Sequence, residues 1–119
     1  MLRALAAAAA LLLSTQASAD LVDTLAEYKG YTIVDVKTIA GYIDSNGKRS
    51  DDFEGCENDR QIVFDDGTAL TCSSFHYHYA YRPRAAILMQ ATSVGGQNFA
   101  SVVMIVDDDN YSMRGVLLH

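Results

Sequence analysis

Between Ser73 and Pro83 the chain reads S-S-F-H-Y-H-Y-A-Y-R-P, the one place where chemically versatile side chains crowd together. In an extended segment residues two apart share a side, so His76, His78 and Ala80 point one way and Phe75, Tyr77, Tyr79 and Tyr81 the other. An H-x-H pair on a strand can put two imidazoles on one metal ion, and His76 with His78 is the metal-site alternative. A zinc site needs a third protein ligand, however, and the only other histidine is His119 at the end of the sequence. The expected state of the two histidines is therefore solvent-facing on a half-buried strand, with no metal and no cofactor.

The aromatic side of the same segment carries the candidate binding surface: Phe75, Tyr77, Tyr79 and Tyr81, continued by Arg82 and Arg84 around Pro83. Exposed tyrosines anchor partners because one end is apolar and the other hydrogen-bonds. Four aromatics nevertheless make a more hydrophobic side than two histidines, so the pattern predicts that they pack inward with hydroxyls at the rim. Arg82 and Arg84 are expected to pair with nearby carboxylates.

Other catalytic patterns are missing. There is no G-x-S-x-G nucleophile motif and no distinguishable acid and base pair of carboxylates. Asp51-Asp52, Asp65-Asp66 and Asp107-Asp108-Asp109 lack EF-hand spacing. Aspartate caps turns through its own side chain, which explains these runs as turns. The residues point away from an enzyme.

Two cysteines, Cys56 and Cys72, stand sixteen positions apart. In an oxidising compartment such a pair reads as a structural disulfide. The start of the chain implies that compartment: residues 1–19 hold Arg3, an apolar run from Ala4 to Leu13, and Ala17 and Ala19 around Ser18, the pattern of a secretory signal peptide. The run is about half of what a membrane-spanning helix needs, so no membrane insertion is expected after cleavage. The mature domain, residues 20–119, then carries a formal charge of −7, one more negative than the −6 of the whole chain because only Arg3 is lost. Such a surface repels phosphate backbones, which argues against nucleic acid, and favours a cationic protein partner.

The elements that must position these residues are mostly strands. Leu21, Leu25 and Tyr28 have helical spacing, and Gly30 ends that short segment. From Tyr31 to Ile43 the pattern predicts a long strand, with one β-bulge near Lys37 or Thr38 that brings Val34 and Val36 to the same core side as Ile39 and Ile43. Asp65-Asp66-Gly67 joins two strands as a three-residue loop with Gly67 left-handed, which pairs Ile62 with Leu70, Phe64 with Thr68 and sets Cys72 opposite Arg60. Phe75–Tyr81 is the next strand. Ala85–Gln90 is apolar on both faces and reads as a central one. A Gly-rich loop over Ser93–Asn98, a strand over Ser101–Val106, a turn at Asp107–Asn110 and a closing strand over Ser112–Leu118 complete the chain. About six to seven antiparallel strands in one domain predict an all-β fold, a small SH3-like or OB-like barrel with a short N-terminal helix.

The segments D-D-F-E-G-C (Asp51–Cys56), I-V-F-D-D-G-T (Ile62–Thr68), Cys72 and Y-A-Y-R-P-R-A-A-I-L (Tyr79–Leu88) together resemble a pattern of small exported bacterial proteins of unknown function, over roughly residues 31–106. The resemblance implies export, small size and the cysteine pair, and no activity. The expectation is a periplasmic or secreted β-barrel with a non-catalytic binding or structural role. Its specific versions are a lysozyme-inhibitor-like or immunity-type protein meeting a cationic enzyme, or a metal-binding envelope protein using His76 and His78.

Overall fold

The computed structural model describes residues 20–117, and the signal-peptide segment and His119 lie outside them. Seven strands follow a short helix over residues 20–26: β1 (Thr32–Ile43), β2 (Arg49–Ser50), β3 (Gln61–Phe64), β4 (Ala69–Thr71), β5 (Arg84–Val94), β6 (Gln97–Val106) and β7 (Asp109–Leu117). They form one antiparallel sheet in the order β4-β3-β1-β5-β6-β7, with β2 paired to β1. The sheet curls into a half-barrel. Its two ends meet just past β4, where Cys72 bridges Met113 and the Ser73 N–H donates to the Ser112 carbonyl at 3.0 Å.

Strand alternation sorts the apolar residues into two groups. Ala85, Ile87, Val102, Met104, Val106, Tyr111 and Met113 line the inside of the curl with Ile39, Ile62, Phe64 and both cysteines. Leu88, Val103 and Ile105 face outward and are covered by Tyr28, Tyr31 and Ala86. Strand β5 lies between β1 and β6 and is apolar on both sides, as its composition predicts. The helix is fixed to the β6–β7 turn: the Thr24 hydroxyl donates to the Asp108 carbonyl at 2.7 Å, and the Asn110 amide donates to the Tyr28 hydroxyl at 2.8 Å.

The β3–β4 hairpin has the expected register. Ile62 faces Leu70, the Phe64 N–H donates to Thr68, the Cys72 N–H donates to Arg60, and Gly67 is left-handed at φ 84°. Asp66 accepts from both the Thr68 N–H and its hydroxyl, closing the turn with its own side chain. An ion pair with Lys37 adds to this and, together with the Thr68 bonds, holds the Asp66 carboxyl below the usual range.

Strand β1 departs from expectation. It carries two irregularities, one between Ile33 and Asp35 against β5 and one between Ile39 and Gly41 against β3, and none at Lys37 or Thr38. The shift at Val34 turns Ile33 and Val36 onto the outer side, where they line an apolar cleft with Leu21, Leu25 and Leu88. Val34 and Val36 therefore end up exposed rather than in the core. Serving two different neighbours, β5 and then β3, is what requires a change of register along one strand. The Ser93–Asn98 loop also shrinks, because β5 and β6 pair as far as Val94 and Gln97 and leave only Gly95-Gly96 as a turn.

A candidate binding surface on the segment before β5

Residues 73–83 are not a strand. This strap is held by two isolated bridges to the segment 53–56: Cys56 and His76 exchange N–H···O bonds at 2.8 and 2.9 Å, and Phe53 and Ala80 exchange them at 3.2 and 3.0 Å. Between the bridges three strap residues, Tyr77, His78 and Tyr79, face only Glu54 and Gly55, so a regular ladder cannot form. Gly55 takes up the mismatch at φ 82°, and a Cβ there would lie 2.0 Å from the His76 carbonyl oxygen and 2.7 Å from the His78 nitrogen. Only glycine lets the two backbones approach this closely.

The segment 53–56 is itself firmly held. Phe53 and Cys56 are buried, and the Cys56–Cys72 disulfide joins it to the hairpin. Arg60, buried beneath, donates from Nε to Asp44 Oδ1 at 2.6 Å and from Nη1 to the Gly55 carbonyl at 3.2 Å. Its guanidinium carbon stacks 3.8 Å from the centre of the Tyr42 ring, and the Tyr42 hydroxyl donates to Glu54. Nothing in the sequence spacing marks this group, since Asp44 lies in a loop sixteen residues before Arg60.

The alternation within the strap survives, but its inside and outside are the reverse of the expectation. Phe75, Tyr77, Tyr79 and Tyr81 are 73, 65, 53 and 73% exposed, while His76, His78 and Ala80 point toward the body. Two contacts explain the reversal. Ala80 is small enough to pack against the core beside Phe53, and the two imidazoles meet carboxylates of the β6–β7 turn. His78 Nε2 lies 2.8 Å from Asp107 Oδ2, His78 Nδ1 3.2 Å from Asp109 Oδ2, and His76 Nε2 3.6 Å from the same Asp109 oxygen. The histidines are thus paired to acids rather than free in solvent. Beneath them the Tyr111 ring stands edge-on to His76 and Phe53, with centroids 5.4 and 5.5 Å apart. Burial, and then the Asp109 and Asp107 charges, push the Tyr111 phenol above its ordinary pKa.

Among the described residues no group of three or more His, Cys, Asp and Glu side chains is arranged to hold a metal ion. Arg82 and Arg84 are exposed and form no ion pair with a described carboxylate, contrary to the pairing expected of them. Phe75 and Tyr77 form one wall of a polar cleft of about 320 Å³, with Glu54, Glu57, Asp44, Lys48 and Arg60 around it. The exposed aromatic row thus has carboxylates of the 53–57 segment on one flank and of the β6–β7 turn on the other. No protein-family model, curated protein or solved structure matches the chain.

Proposed function

We propose that the protein is an exported, non-catalytic binding module whose row Phe75, Tyr77, Tyr79 and Tyr81 docks a cationic protein. The observation that carries the reading is the exposure of four consecutive outward aromatics on a segment whose backbone is pinned at both ends. Large, stiff, amphipathic side chains on a fixed backbone lose little entropy on binding and supply the anchors of protein interfaces. The formal charge of −6 and the acids flanking the row favour a positive partner, and Arg82 and Arg84 at one end give it an orientation. A periplasmic or secreted location fits the signal-like N-terminus and the disulfide. An inhibitor or immunity-type protein acting on a cationic envelope-attacking enzyme such as a lysozyme is the specific version.

The test is a titration of the oxidised protein against lysozyme and other basic secreted proteins, with an acidic protein of similar size as control. Binding to a basic member should weaken about 30-fold in Tyr77→Ala and Tyr81→Ala, the effect of losing an interface anchor. Affinity indifferent to both substitutions would place the contact elsewhere.

A further inference from the structure

We infer that the aromatic strap is fastened by a histidine–carboxylate clasp, closed when the imidazoles are protonated and loosened when they are neutral. Both ring nitrogens of His78 face carboxylate oxygens, Nε2 toward Asp107 at 2.8 Å and Nδ1 toward Asp109 at 3.2 Å. An ionised carboxylate only accepts, and a neutral imidazole has a single N–H, so both contacts are attractive only in the imidazolium form. In the neutral form one nitrogen lone pair is turned toward an anion. His76 adds a weaker contact to the same Asp109 oxygen at 3.6 Å.

The groups around the clasp leave the imidazoles as its source of positive charge. From the β6–β7 turn and β7 come Asp107, Asp109 and the neutral phenol of Tyr111, and from the segment 53–56 the uncharged Phe53 ring. Neither Asp107 nor Asp109 pairs with a lysine or arginine among the described residues; Arg84 shares the apolar cleft beside Asp107 without an ion pair.

The two jaws differ in rigidity. The carboxylate jaw belongs to a turn tied to the helix through Thr24, whereas the strap between His76 and Ala80 has no ladder bonds of its own. When the clasp opens, it is the strap that moves, and with it Tyr77 and Tyr79. The consequence for binding rests on the docking role proposed above; the clasp itself does not.

Amide hydrogen exchange of the oxidised protein, normalised to intrinsic rates, tests it between about pH 8 and about pH 5, the range over which histidine charges. Protection at Tyr77–Tyr79 should rise about tenfold toward acid, the worth of one charge-assisted hydrogen bond. The rise should vanish in His78→Gln and in Asp107→Asn, the second a change in an exposed turn that keeps the fold. Protection independent of pH, or a rise that persists in both variants, would overturn the clasp. So would protection that follows addition of a chelator instead of pH, which would assign the same side chains to a metal. Partner affinity measured in parallel separates the two ideas: a pH-dependent strap with no basic protein bound at any pH upholds the clasp and removes the docking role.

Discussion

Removing the Arg60 guanidinium would leave Asp44 largely buried without its partner and free the Gly55 carbonyl that Arg60 holds. Breaking a buried pair from one side costs about 3 to 5 kcal/mol. Arg60→Met should therefore lower the denaturation midpoint by an amount of that order, and Arg60→Lys should recover only part, since lysine can neither fork onto Asp44 nor stack on Tyr42. Tyr111 behaves in the opposite sense. Its hydroxyl is fully buried and has no hydrogen-bond partner among the described residues. Tyr111→Phe is expected to be neutral or stabilising by up to about 1 kcal/mol in thermal unfolding. Because the folded state raises its pKa, the unfolded chain loses the Tyr111 proton first, so the native protein loses stability as pH climbs above about 10, the ordinary tyrosine value. That alkaline slope should flatten in Tyr111→Phe. Of these residues the sequence makes the cysteines legible, because compartment and number suffice to pair them. Arg60 is not legible: a partner in a distant loop leaves no periodic trace.

At the scale of elements, the contrast between the hairpin and the strap shows what residue patterns can decide. In the hairpin, glycine position and hydrophobic parity agree on one register, and the fold adopts it. The strap alternates just as clearly, but parity only separates two sides and does not say which is inward. That choice is made by partners remote in sequence, the Gly55 kink and the Asp107 and Asp109 carboxylates. Strand β1 fails for a related reason, since one pattern must satisfy two neighbours in succession. Gly55→Ala tests the kink directly. The added methyl meets backbone on every side, so it should cost at least about 2 kcal/mol in chemical denaturation and increase exchange at Tyr77–Tyr79. Gly67→Ala, with open space around its Cβ, should cost only about 1 kcal/mol.

Across the whole molecule, the half-barrel depends on few long-range ties for its closure. The Cys72–Met113 bridge and the Ser73–Ser112 bonds join the two ends of the sheet, and the disulfide sits beside them. Cys56→Ser should destabilise by about 3 kcal/mol, the chain-entropy value for a loop of this size, read as a lower melting temperature. Far-UV circular dichroism should remain that of a strand-dominated protein, with little from the seven-residue helix. The all-β class and the strand count were legible because short apolar runs and turn residues recur through the chain. The outer apolar group under Tyr28 and Tyr31 was less so, since it assembles from β5, β6 and a helix that meet only in the folded state.

The disulfide crosses from the hairpin to the segment beneath the strap, and none of the main ladders of the sheet depends on it. Maturation would then fall into two stages: a sheet that can assemble with both thiols reduced, and a recognition face that becomes competent only after oxidation. Added reductant should accordingly abolish partner binding at temperatures where the circular dichroism spectrum is unchanged, which would make the redox state of the compartment the timer of the protein's activity.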